Sequence, residues 1–333
     1  MEKVLVTGAT GFIGLHCIHQ LIEKGYSVHG TLRSKSREEE VRSSLNKANL
    51  SDANLTLYEC DLLSDDGWER AIEGCDYILH VASPFIAGLP DHEDELIKPA
   101  LAGTQRILKL SAQSSQVKKV VITSSFAAVG DTFDGKIVFN ESDWSDPNNP
   151  KISAYNKSKT LAEKSAWEFM ESNPSFKLTV INPVAVIGPM LSDDLGTSNL
   201  FVKKMLDGST PGNPGLHIGF VDVRDVARAH IESIKNEKSD NKRIILSKDE
   251  LWVSELSEIL RELGYKAPTR NIPKWLISIL SIFDKEIGGL KPMIGKERNI
   301  ESSVFPEVFD WQLISVKDSA RVTAEQLKSM NQI

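Results

Sequence analysis

Six short, β-rich apolar runs alternate with stretches of helical periodicity through the first half of the chain. The runs are Lys3 to Thr7, Val28 to Leu32, Leu55 to Tyr58, Tyr77 to Val81, Val120 to Thr123 and Leu178 to Ile181. Between them, segments such as Phe12 to Glu23 and Leu96 to Ser111 space their apolar residues as one face of a helix does. Strands that are apolar on both faces must be covered on both, and parallel neighbours need crossover connections, which helices supply. The alternation therefore predicts an α/β fold, a doubly wound parallel sheet of the Rossmann type. After Pro183 the rhythm changes: Pro and Gly concentrate between Gly188 and Gly219, and a helix from Val223 to Lys235 and a short strand from Ile244 to Leu246 follow. We expect a sheet domain over residues 1–182 and a smaller C-terminal α/β lobe over 183–333, some segments of which return to the sheet domain. Trp275, Leu276, Ile279, Leu280 and Phe283 recur at helical spacing and read as core or lobe interface.

Composition narrows the partners. The 333 residues are 41 % hydrophobic and 26 % charged, enough for a sizeable core. The net charge of -7 provides no positive field for nucleic acid or anionic lipid, and no apolar run is long enough to span a bilayer. Cys17, Cys60 and Cys75 form no CxxC pair, and their odd number fits no closed disulfide framework. With no signal-peptide pattern at the N-terminus, the expectation is a cytoplasmic protein, monomeric or homodimeric, that acts on a small molecule.

The segment Thr7-Gly8-Ala9-Thr10-Gly11-Phe12-Ile13-Gly14 follows the first strand and opens the first helix. In that context Gly8 permits a tight turn, Gly11 lets backbone N–H groups approach a pyrophosphate, and Gly14 lets helix and strand pack closely. At the end of the second strand an acidic residue would bind the adenosine ribose of NAD, whereas an arginine accommodates a 2′-phosphate. This chain has Arg33, with Arg37 close enough for a second contact, so NADP(H) is the expected cofactor. The alternative for Ser34 to Glu40 is a solvated, charged helix start. Asp61 and Leu62, after the third strand, are placed to meet the adenine ring, although an N-cap role explains Asp61 as well.

Tyr155 and Lys159 stand four apart and so share one helix face. A free tyrosine titrates near pH ~10 and is a poor proton donor at neutrality. An adjacent ammonium and a nicotinamide charge are expected to lower that value, and Lys159 is also placed to hold the nicotinamide ribose. The run Val120 to Ser125 is an apolar strand ending in hydroxyls, which delivers Ser125 to the carboxyl edge of the sheet, where ligands bind in such folds. Ser125 is expected to hydrogen-bond the carbonyl oxygen of a substrate while Tyr155 protonates it. Ser124 faces the other way and is left to orient neighbouring backbone.

Taken together, the glycine segment, His80-Val81-Ala82-Ser83-Pro84-Phe85, Thr123-Ser124-Ser125, Tyr155 with Lys159, Asn182-Pro183 and Phe220 to Ala227 resemble the extended short-chain dehydrogenases/reductases. Within them the chain is similar to the branch of dihydroflavonol, cinnamoyl-CoA, aldehyde and methylglyoxal reductases. The resemblance implies that Thr10, Phe12 and Ile13 belong to the pyrophosphate loop. It also implies that Val81, Ala82 and Ser83 line the cofactor channel, that Pro183 borders the carboxamide, and that Tyr155 donates the proton. The helix lacks the tryptophan-cysteine surroundings of cinnamoyl-CoA reductases, which argues against acyl-CoA substrates. Phe85, Phe126 and Phe201 are candidates to line an apolar substrate pocket, with plain core as the alternative. Two rival readings are an NAD-dependent nucleotide-sugar epimerase or dehydratase, and a dinucleotide-binding redox sensor without turnover.

Overall fold

The computed structural model describes residues 1–84, 90–130, 135–173, 175–277 and 291–333. Strand β1 (Lys3–Thr7) leads into helix α1 (Phe12–Glu23), and the alternation continues through β2 (Ser27–Leu32), α2 (Glu38–Lys47), β3 (Leu55–Glu59), α3 (Trp68–Ile72), β4 (Tyr77–His80), α4 (Asp94–Gln113) and β5 (Lys119–Thr123). After a two-residue β6 (Val138–Phe139) come α5 (Ala154–Ser172) and β7 (Lys177–Pro183).

Strand parity shows how the sequence builds the central layer. Val4, Val6, Leu79, Val121 and Ile181 pack into one core, whereas Leu5, Ile78, Val120, Ile122, Leu178 and Val180 pack into another. Alternate residues of a strand point to opposite faces, so these two cores are the two sides of a single sheet. All but the edge of that sheet is buried twice, which is why its strands read as continuous apolar runs. With β10 (Lys242–Leu246) from later in the chain, the order is β10-β7-β5-β4-β1-β2-β3, and every pairing is parallel.

Strand β10 is a C-terminal segment that returns to the sheet domain: it pairs with β7 and closes the sheet at one edge. The helix predicted from Val223 to Lys235 ends at Ser233 as α7, which follows α6 (Thr197–Leu206) and β9 (His217–Asp222) in the chain. It lies against α1, with Val226, Ala227 and Ala229 in the same core as Leu15 and Ile18. Asp222 caps it by accepting from the Arg224 backbone N–H at 2.8 Å.

The lobe itself is a three-stranded sheet, β11-β9-β8, in which β8 is Ala185–Ile187 and β11 is Asp249–Trp252. It is covered by α6, α8 (Val253–Glu262) and the C-terminal helix Val316–Ser329, with Met205, Phe220, Leu256, Leu260 and Leu327 in a separate core. Hydrogen bonds tie the C-terminal helix to the crossover from β8: Thr323 with Gly188, and Gln326 with Met190. In the predicted helix from Pro273, Ile277 is buried and Trp275 is 66 % exposed, while Ile279, Leu280 and Phe283 lie outside the described residues. Among the described residues, no helix is long and apolar enough to cross a membrane.

Candidate active site

Parallel pairing places the carboxyl ends of β1, β2, β3, β4, β5 and β7 along one rim. The glycine loop, Arg33, Asp61, Val81 to Ser83 and Ser125 follow the carboxyl ends of these strands, and Tyr155 and Lys159 come from the first turns of α5.

The glycine loop owes its shape to backbone contact. Gly8 has φ +75°, and a Cβ there would stand 3.0 Å from the Ala82 Cα. At Gly14 a Cβ would stand 2.1 Å from the Gly8 carbonyl oxygen, so α1 can approach the loop only with glycine at that position. Ala9 N–H donates to the Thr31 carbonyl at 2.7 Å and fixes the loop to β2. Gly11 occupies the N-cap of α1 and no side chain caps the helix, which leaves the first-turn N–H groups of Phe12, Ile13 and Gly14 directed along the rim. Thr10 is buried beneath the turn. On the opposite bank Val81, Ala82 and Ser83 are half-buried, and Ala82 N–H donates to Thr7 Oγ1 at 2.9 Å. The loop is narrow, glycine-walled and lined by N–H groups, a shape that could hold a pyrophosphate.

At the far end of the rim the Arg33 side chain is 74 % exposed, with Nε 3.7 Å from Asp61 Oδ2. The two candidates for the adenosine end are thus neighbours. The Arg37 Nε and Nη2 donate to the Glu40 carboxylate at 2.9 and 3.0 Å. Arg37 thus has a partner in the helix start that follows it, while Arg33 stands beside Asp61. Asp61 caps a turn by accepting from Leu63 N–H at 2.7 Å; the N-cap of the next helix is Gly67, not Asp61. Leu62 packs on α4 at Gly103, where a Cβ would come within 2.6 Å of it.

At the centre, Ser125 leaves β5 in extended conformation and its Oγ accepts from Ala127 N–H at 3.1 Å. Helix α5 starts at Ser153, whose Oγ accepts from Asn156 N–H at 3.1 Å, so Tyr155 stands in the first helical turn. The Ser125 hydroxyl is the polar neighbour that acts on the Tyr155 hydroxyl. Tyr155 is 44 % exposed. Lys159, one turn on, is buried; its Nζ lies 6.0 Å from the Tyr155 ring centroid and donates to the Thr123 carbonyl at 3.3 Å.

The electrostatics differ from expectation in one respect. The Tyr155 hydroxyl is not lowered: burial of its polar end pushes its pKa up, and the Ser125 hydroxyl only partly opposes this. The phenol is therefore a protonated donor in this state of the site. Burial pulls Lys159 down to about 8, with the Glu163 charge opposing the change. His80, buried beneath the same rim, is drawn down to about 3 by burial and then by Lys159, so it is neutral.

Sequence reading missed the support behind these residues. Ser124 does face away from the rim, and its Oγ donates to Glu163 Oε2 at 2.5 Å. Asn182 Nδ2 donates to the same carboxylate at 2.7 Å and to the Ser125 carbonyl at 3.2 Å. The available signal was spacing: Glu163 follows Lys159 by one turn on the face that already carries Tyr155. His230 approaches from α7, its Nε2 2.6 Å from Thr123 Oγ1.

Of the substrate candidates, Phe126 packs edge-on against Phe139 and fills the space above Gly130, and Phe201 packs on the lobe core; both are half-buried. Phe85 lies outside the described residues. Beyond Phe139 a cavity of about 360 Å³ is lined by Lys136, Ile137, Trp252 and Arg298 among others. Pro183 ends β7 beside Leu246 of β10. Among the described residues, no group of three or more His, Cys, Asp or Glu side chains is placed to hold a metal ion.

Comparison with known proteins agrees with this geometry. Residues 4–246 match the NAD dependent epimerase/dehydratase family. Cinnamoyl-CoA reductase CAD2 of Medicago truncatula is 34 % identical over 278 residues, covering 81 % of this chain and 82 % of that protein. The crystal structure of yeast methylglyoxal/isovaleraldehyde reductase Gre2 complexed with NADPH superposes with a TM-score of 0.82 at 28 % identity, covering 99 % of this chain and 100 % of that one. Gre2 from Candida albicans, also in complex with NADPH, gives 0.80 at 30 % identity, covering 99 % of each chain. The chain belongs to the NAD dependent epimerase/dehydratase family, the extended short-chain dehydrogenases/reductases, on their dihydroflavonol and aldehyde reductase-like branch.

Proposed function

We propose that the protein reduces an aldehyde or ketone to the alcohol with NADPH, Tyr155 serving as proton donor. The observation that carries this reading is the meeting of Ser125 and Tyr155 over buried Lys159, on the rim that also holds the uncapped N-terminus of α1. The rim fits a dinucleotide phosphate: the cradle at Gly8 and Gly14 has no room for a Cβ, and exposed Arg33 lies where a 2′-phosphate would be met. Relatives solved with NADPH support the choice of cofactor.

When bound, NADPH supplies the hydride to the carbonyl carbon. The protein does the rest. Ser125 Oγ donates to the carbonyl oxygen and polarises it. Tyr155, protonated at neutral pH, gives its proton to the same oxygen as negative charge develops there. Lys159 places a positive charge beneath the phenol, which stabilises the phenolate left behind, and its ammonium is placed to hold the ribose hydroxyls. Phe126 and Phe201 form apolar flanks of the substrate side, Phe201 from the lobe.

The test is loss of NADPH absorbance with a panel of small aldehydes, α-dicarbonyls and aryl ketones. We expect turnover with NADPH and much slower turnover with NADH. A protein that is isolated with NAD firmly bound, or that prefers NADH, contradicts the reading and favours an epimerase or dehydratase.

A further inference from the structure

Glu163 is a carboxylate with no access to solvent. Its side chain is fully buried, yet it is served by four donors: Ser124 Oγ at 2.5 Å, Asn182 Nδ2 at 2.7 Å, Arg243 Nε at 2.5 Å and Trp167 Nε1 at 3.4 Å. Arg243 comes from the edge strand β10 and is itself 9 % exposed. Its Nη1 donates to the carbonyls of Glu141 and Asp143, both at 2.7 Å, and its guanidinium stacks 3.6 Å from the Trp144 ring centroid.

A buried ion pair is a poor source of stability, because removing two charges from water costs about as much as their attraction returns. A hydrophobic pair of similar volume would close the same gap between α5 and β10. The pair stands one helical turn past Lys159, and its carboxylate grips both sides of the strand end that carries Ser125. It binds the Ser124 side chain directly and the Ser125 carbonyl through Asn182.

Resting on the catalytic reading above, we infer that Glu163, held by Arg243, is a positioning residue that anchors Ser125 at the rim and supplies the counter-charge of Lys159. The charged and titratable groups around Lys159 bear this out. Tyr155 and Glu163 face it from α5, and neutral His80 from β4. His230 of α7, drawn down to about 4 by burial, stands behind Thr123, whose carbonyl accepts from the Lys159 ammonium. Of these, only Glu163 is an anion. With its charge removed, Lys159 loses its proton more readily. With Arg243 neutralised, the uncompensated carboxylate holds that proton more firmly.

The experiment is the pH profile of kcat/KM for NADPH-driven reduction, whose alkaline limb follows the free enzyme. Glu163→Gln should move the alkaline midpoint down by about one pH unit, and Arg243→Gln should move it up. The double variant removes both members of the buried Glu163–Arg243 pair at once, so it serves if either single variant fails to fold. Because the carboxylate is the nearer charge, the double variant's midpoint should fall below that of the wild type. Opposite shifts in the single variants support the inference, since a merely structural role lowers the plateau without moving the midpoints in opposite directions. Midpoints that coincide with wild type, or that move together, overturn it; so does an unmoved double variant. Tyr155→Phe assayed in parallel keeps the two proposals apart, because retained turnover there removes the catalytic reading itself.

Discussion

The sheet domain and the C-terminal lobe are both well packed, but they are specified differently. In the sheet domain the decisive positions act through the backbone of their own neighbourhood: Gly14 against Gly8, Gly8 against the turn after β4, and Ser153 capping α5 beneath Tyr155. In the lobe, the core gathers Ile187, Met205, Phe220, Leu256 and Leu327 from five separate segments, none of which is complete without the others. The first kind of specification makes a rigid cofactor cradle. The second makes a surface that can be reshaped without disturbing it, which is what a family with many substrates requires.

Breaking the cradle should have the larger effect. Gly14→Ala places a methyl group within 2.1 Å of a backbone oxygen that cannot move without opening the turn. We expect a loss of about 3 kcal/mol in denaturant unfolding and no measurable NADPH binding. A variant as stable as wild type would show that α1 does not depend on close contact with the loop.

Next in size is Arg33→Ala. Loss of a charge-assisted contact to phosphate should weaken NADPH binding about tenfold to a hundredfold, leaving NADH binding unchanged. Arg37→Ala sharpens this, since a side chain already paired with Glu40 should change NADPH affinity less than about threefold. Equal effects of the two would place the 2′-phosphate between them.

The smallest effect belongs to the lobe. Phe201→Leu should cost less than about 1.5 kcal/mol in stability and alter the KM for carbonyl substrates while the NADPH affinity stays constant. A matching change in cofactor affinity would mean that the lobe and the cradle are not separable.

The same contrast explains what the sequence made legible. Helix α1 matched its expected bounds of Phe12 to Glu23, and the strands of the first half fell within a residue or two of theirs, because their periodicity and punctuation are local. The strand at Ile244 to Leu246 was visible as a strand, but its place at the edge of the main sheet was not, since nothing within five residues encodes a partner 63 positions earlier. Likewise the pairing of Arg37 with the Glu40 side chain could not be read from the sequence. Glu163 and Arg243 escaped because an isolated Glu or Arg reads as surface, and only folding brings them together at 2.5 Å.

The central claim is that a protonated phenol on the sheet rim does the chemistry. The most direct measurement is the turnover of Tyr155→Phe beside its NADPH affinity by fluorescence titration. The account predicts that kcat falls by about 10²- to 10⁴-fold while the NADPH dissociation constant stays within a few-fold of wild type. Turnover at the wild-type rate in that variant, with NADPH still bound, would contradict it.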